Sequence, residues 1–131
     1  MKKITTLIFA LFITIATFSQ SKYSAYRTEI YGLQNNTWKL SSTNEDVDIP
    51  IHIYKRFIHV QAKENAYFLV DDESVDISGN TFKGNSYDGY EFVTETKCTI
   101  HVVDFKNGES MLSVTWFNDK INIRYYVKKL K

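Results

Sequence analysis

Apolar residues recur in this chain at every second position, and that period decides what the chain can become. Val47, Ile49, Ile51 and Ile53 alternate with their neighbours. So do Ile58, Val60 and Ala62, then Cys98, Ile100 and Val102, then Leu112, Val114 and Trp116, and last Ile121, Ile123, Tyr125 and Val127. A period of two sends successive side chains to opposite faces of a strand, and no helical period of about 3.6 follows the first nineteen residues. Turn formers separate the runs: Lys63-Glu64-Asn65, Ser78-Gly79-Asn80, Asp88-Gly89, Lys106-Asn107-Gly108 and Asn118-Asp119. A single proline and 15% aromatic content suit strands better than disorder.

Each turn also fixes a register, because opposite residues in a hairpin have numbers that sum to a constant. A two-residue loop at Asn118-Asp119 pairs Trp116 with Ile121, Val114 with Ile123 and Leu112 with Tyr125. A three-residue loop Lys106-Asn107-Gly108, with Gly108 left-handed, pairs Val102 with Leu112 and Ile100 with Val114, and sets Cys98 against Trp116. A loop at Glu95-Thr96-Lys97 brings Phe92 to Ile100 and Tyr90 to Val102. A turn around Lys55-Arg56 pairs Ile53 with Ile58 and Ile51 with Val60. Lys-Arg suits a two-residue primed turn poorly, so a four-residue loop from Tyr54 to Phe57, with the same register, is expected there. These separate turn choices agree with one apolar face, and a one-residue slip would turn that face into water. The expectation is all-β: an antiparallel up-and-down meander of about eight or nine strands, closing into a small barrel or folding into a sandwich.

The opposite face is not cleanly polar. It carries Tyr54, Phe57, Val103, Phe105, Met111, Phe117 and Tyr126. Two readings compete. Either the N-terminal segment, with Tyr26, Ile30, Tyr31 and Leu33, lies across this face, or Tyr54, Phe57, Phe105, Met111, Phe117 and Tyr126 form a partner-binding surface.

Ahead of this pattern stand Lys2 and Lys3, an uncharged stretch from Ile4 to Ser21 that is almost wholly apolar between Leu7 and Phe18, and then Thr17-Phe18-Ser19 before Gln20. Basic start, apolar middle and small residues make a secretory signal, with cleavage expected after Ser19 and Ser21 as second choice. The apolar run is at the short limit for a membrane span, and no basic cluster follows it. The layout, with Gln20 just after the cut, resembles that of exported proteins of Bacteroidota-type bacteria, which implies a periplasmic or secreted product. The expected division is a signal peptide, 1–19, and one β-rich domain, 20–131. Cys98, the only cysteine, is far from the cut, so no lipid anchor and no internal disulfide are expected and the core must hold the fold. Losing Lys2 and Lys3 takes the net charge from +1 to −1. That near-neutral balance argues against nucleic acid or an anionic membrane as partner.

Few residues suggest chemistry. His52 and His59 fall opposite each other and could share a metal ion, but no third ligand is evident, so no metal or other cofactor is expected. The inferred registers align Glu91, His101, Ser113 and Arg124 in one row. A flat sheet face offers no oxyanion hole, and no Gly-x-Ser-x-Gly turn is present, so the row reads as polar ordering of the sheet and not as a triad. Glu45, Asp46 and Asp48, and Asp71, Asp72, Glu73 and Asp76, lack calcium-loop spacing. Solvated charges beside basic neighbours account for them, with Asp48 facing Lys63 and Asp71 near Lys55 and Arg56. Cys98 reads as a buried small hydrophobe. The sequence therefore points to a non-enzymatic binding or interaction module whose partner is an unknown protein or small apolar ligand. A lipocalin-like carrier of such a ligand, an inhibitor or immunity-type protein acting on an exported enzyme, and last a hydrolase using His101 and Ser113, are the alternatives.

Overall fold

The computed structural model describes residues 20–130, apart from the side chains of Gln20 and Asp72. The expected signal peptide and its cleavage lie outside that span. Nine antiparallel strands follow one another: β1 (Gln20–Gln34), β2 (Thr37–Asn44), β3 (Ile49–Tyr54), β4 (Phe57–Val60), β5 (Ala66–Asp76), β6 (Phe82–Glu91), β7 (Thr96–Phe105), β8 (Ser110–Trp116) and β9 (Ile121–Lys129). From β3 to β9 each strand pairs with the next, as the meander requires. The circuit is closed by β1, which pairs with β3 through Gln20–Ala25 and with β9 through Tyr23–Gly32. Eight strands thus make a closed barrel, while β2 pairs only with the distal half of β1. Of the two expected closures, the barrel is the one adopted.

The barrel is strongly sheared. A row of paired residues starting at Gln20 passes Tyr54, Phe57, Leu69 and Tyr90 to Lys97. Two residues on, the row from Thr99 passes Thr115 and Asn122 and returns to β1 at Tyr31. A full turn therefore climbs about a dozen residues along β1, which obliges the strands to tilt steeply about the barrel axis.

The inner face is the apolar set read from the alternation. Ile51, Ile58, Val60, Cys98, Ile100, Leu112, Val114, Tyr125 and Val127 are buried, and Ile49, Ile53, Ala62, Trp116 and Ile123 pack against them. Val102 and Ile121 share that parity but stay exposed. The structure adds Ala25 and Phe68, both fully buried. Three registers stand as derived: β3 on β4, β7 on β8 and β8 on β9. Gly108 is left-handed, with φ of 92°.

Three expectations are corrected. The N-terminal segment is not a cover over the outer face but a strand within the wall. Its alternation is broken by a bulge between Ala25 and Arg27, and its two halves meet different neighbours. The turn at Lys55-Arg56 is the tight one: Tyr54 and Phe57 pair directly and their rings stack 5.8 Å apart. Between β6 and β7 the register differs by five, with Tyr87 opposite Ile100 and Glu91 opposite Thr96. Glu91, only 4% exposed, accepts hydrogen bonds from the backbone N–H and hydroxyl of Thr94 and so holds the turn three residues earlier than expected. Gly89 then sits inward against Cys98. A Cβ there would come within 2.8 Å of Ile100 Cδ1 and 3.2 Å of Cys98 Sγ, so a larger residue would force these buried side chains to shift. Asp48 accepts a hydrogen bond from the Ser24 hydroxyl of β1, at 2.5 Å.

Candidate functional site

The outer face carries three groups of side chains. The first lies on β3 to β6. Outward parity gives His52, Tyr54, Phe57, His59, Tyr67, Tyr90 and Phe92 one side of the wall. Their rings contact in sequence: His52 on His59 at 5.7 Å, His59 on Tyr67 at 4.5 Å, Phe57 on Tyr67 at 6.1 Å, Phe57 against Phe92 at 6.4 Å and Tyr90 edge-on to Phe92 at 5.5 Å. Phe57 is buried among them. Planes 23° and 14° apart along the His52–His59–Tyr67 stack mean that the rings lie on each other's faces. This is a cross-strand ladder that stabilises the sheet more than it offers a flat platform.

The second group covers the junction of β1 and β9. Arg27 lies opposite Tyr126 with its guanidinium 3.9 Å from the ring centre, and the Arg124 guanidinium lies 4.1 Å above the ring of Tyr31. Between them the Glu29 carboxylate accepts the hydroxyls of Tyr126, at 2.8 Å, and Tyr31, at 3.2 Å. Arg27 also reaches Glu109 at 3.6 Å. Asn122 donates its amide to Ser113 Oγ, Thr115 Oγ1 and the Val114 carbonyl, and its own oxygen accepts from Arg124 Nε. The polar row expected from the sequence belongs here in altered form: Ser86, His101, Ser113, Arg124 and Glu29. Glu91 does not join it, since the corrected register turns that carboxylate inward. Burial first, and Arg124 second, push the His101 imidazole below its ordinary pKa, and Ser113 is engaged by Asn122.

The third group forms a cleft of about 550 Å³. Outward side chains of Leu69, Asp71, Asp88, Tyr90, Lys97 and Thr99 line it, with Arg56 from the β3–β4 turn and Phe117 and Asn118 from the β8–β9 turn. The backbone of β5 departs from the ladder here. Asp71, Asp72 and Glu73 stand together opposite Asp88, where pairing is interrupted between Val70 and Ser74. Asp71 and Asp88, both lining the cleft, carry like charges on neighbouring strands where the pairing stops, which disfavours a regular ladder. Phe117 is 59% exposed and meets Trp38 of β2 edge-on at 6.3 Å, so the apolar rim runs from the cleft towards Leu40, itself 52% exposed.

The residues expected as a binding surface are thus divided. Tyr54 and Phe57 belong to the ring ladder, and Tyr126 to the polar junction. Met111 is buried, and Phe105 packs against Phe82 at 6.4 Å. Phe117 alone lines the cleft. Tyr90 and Lys97, which the sequence placed in a different register, and Trp38 complete its surroundings. Inside the wall, burial and then Glu91 push the Cys98 thiol up to about 12. Among the described residues no group of three or more His, Cys, Asp or Glu could hold a metal ion. Asp76, in the second acidic run, accepts hydrogen bonds from Ser78 that hold its carboxyl below the usual range. No family model, curated protein or solved structure matches the chain.

Proposed function

We propose that this is an exported, non-enzymatic interaction module that takes a protein partner on the outside of its barrel, at the cleft bounded by Tyr90 and Phe117. The observation that carries the reading is an open cleft with aromatic and charged lining, set in the wall of a barrel whose inward side chains are apolar and shielded from solvent. Phe68, Ile51, Ile100, Val60 and Val114 occupy the inside and are almost wholly shielded from solvent. A small-ligand carrier needs room there. The cleft instead combines exposed aromatic surface with both signs of charge at its edge, Arg56 and Lys97 beside Asp71 and Asp88. An apolar centre with a charged rim is the usual composition of a protein interface. Export rests on the Lys2-Lys3 start and the apolar run behind it.

A photo-crosslinking residue introduced at Phe117 in the producing cell tests the site, with Val75, an equally exposed position on β5, as control. A discrete adduct at position 117 and none at 75 is expected. Equal labelling at both, or none at 117, would remove the cleft as the interface. The intact mass of the same purified product should place its N-terminus near Gln20, and a product still beginning at Met1 would remove the export reading.

A further inference from the structure

We propose that the outer edge of β2 is a docking site for an extended segment of a protein partner, which joins the sheet there as one further strand. The inference rests on the reading of the outer rim as a protein interface and names how the partner is held. β2 pairs with β1 along one side, and among the described residues no strand pairs with its other side. The register decides which backbone groups face that outer side. The Leu33 N–H donates to the Lys120 carbonyl at 3.0 Å, on the β9 side of β1. Leu33 therefore turns its polar backbone groups away from β2, and its partner Trp38 turns its own N–H and C=O to the outer edge. Leu40, two residues on, does the same, while the groups of Lys39 between them face Gly32 of β1.

Exposed apolar side chains gather around this edge. Leu40 on β2, Ile30 on β1, and Ile121 and Phe117 at the start of β9 and in the turn before it are all open to solvent, a concentration that marks an interaction surface. Trp38 meets Phe117 edge-on at 6.3 Å, and Phe117 lines the cleft, so edge and cleft are continuous. The backbone selects the occupant. A row of outward N–H and C=O groups is satisfied by another extended backbone and not by an apolar small molecule. Charge selects it further. Lys39 is the single charge in β2 and is exposed. An added strand with a carboxylate opposite Lys39 gains a favourable cross-strand pair. A second copy of this chain does not, because the antiparallel register that matches Trp38 of one copy with Leu40 of the other sets Lys39 against Lys39. The segment that fits is apolar opposite Trp38 and Leu40 and acidic opposite Lys39.

Peptides selected from a displayed library of random short sequences on the immobilised protein are the probe, and their effect on backbone hydrogen exchange is the test. A bound peptide should slow exchange several-fold at Trp38 and Leu40 and leave Lys39, whose N–H already faces β1, as it was. The recovered sequences should carry Asp or Glu within an apolar alternation, and Lys39→Glu should weaken their binding several-fold. Leu40→Pro removes one outward N–H, keeps those that face β1, and should abolish binding. If that variant does not fold, Lys39→Glu carries the test alone. Recovery of no peptide, exchange unchanged at Trp38 and Leu40, or equal binding to the Lys39→Glu variant would overturn the docking. Peptides that perturb only Tyr90 and Lys97 overturn it too, and leave the cleft standing as the interface. Loss of the cross-link at Phe117 in the cell bears on the cleft alone. Self-association of the purified chain that Leu40→Pro disrupts would put a second copy on the edge and overturn the assignment to a foreign segment.

Discussion

The first strand faces two very different neighbours. Towards β9 it pairs from Tyr23 to Gly32, and two guanidiniums, two tyrosine rings and the Glu29 carboxylate lie interlocked across the junction. Towards β3 it pairs only from Gln20 to Ala25, and the outer row there is Lys22 beside His52. Both ladders close the same barrel. One is covered by groups of opposite charge and complementary polarity, the other by two basic side chains set side by side. Closure of a barrel is thus a property of each junction, set by ladder length and by what the outer side chains do, and not of the fold as a whole.

The contrast can be broken or sharpened by substitution. The largest effect is expected behind the wall of β3, β4 and β5. Phe68 is fully buried and packs on Trp116 at 6.0 Å, so Phe68→Ala should cost about 3–5 kcal/mol in urea unfolding. A loss below about 1 kcal/mol would mean that the core does not hold this wall. Glu29→Ala comes next. It strips both tyrosine hydroxyls of their acceptor and leaves two arginines beside an empty place, which should cost about 1–3 kcal/mol. If it costs no more than Lys22→Ala, the two junctions are equal and the contrast fails. His101→Gln should be smaller again and visible only in acid. The lowered value at His101 gives the wild type stability above about pH 6.5 that it loses on acidification, so the variant's stability should fall less steeply below that pH. Smallest is Phe117→Ala, which gives up one edge-on contact with Trp38 and should change the unfolding free energy by about 0.5–1 kcal/mol. A large loss there would make Phe117 a structural residue and not a feature of the binding rim.

Much of the fold was legible because apolar alternation and turn chemistry are local. Gly108 had to be left-handed, and the β7–β8 and β8–β9 registers followed from their turns. Where the deciding contact is not local, the reading failed. The β6–β7 register depends on Glu91 reaching forward to Thr94 and on Gly89 seating Ile100 and Cys98, and neither shows in a pattern of apolar residues. The turn Asn35-Asn36, left-handed at both positions with φ of 50° and 61°, is a strong hairpin signal. It was masked because β2 is exposed along almost all its length, with only Trp38 and Leu40 apolar, and the strand before it carries a bulge. The outward parity of Tyr54, Phe57 and Phe117 could be read, but not which of them share a surface. The cleft needs the correct register of Tyr90 and Lys97, and an interruption in β5 that answers to a carboxylate on another strand.

The position of β1 also has a kinetic consequence. The ladders β1–β2 and β3 through β9 are hairpins, whose partners are close in sequence and cheap to bring together. The two ladders that complete the barrel, to β3 and to β9, both belong to β1, and the second joins Gly32 to Ile121 across most of the chain. Closing so long a loop is the slow entropic step for a β topology. One docking event of one strand must therefore finish the molecule, after the hairpins have formed. Substitutions such as Glu29→Ala, which act only on that last junction, should speed unfolding far more than they slow folding.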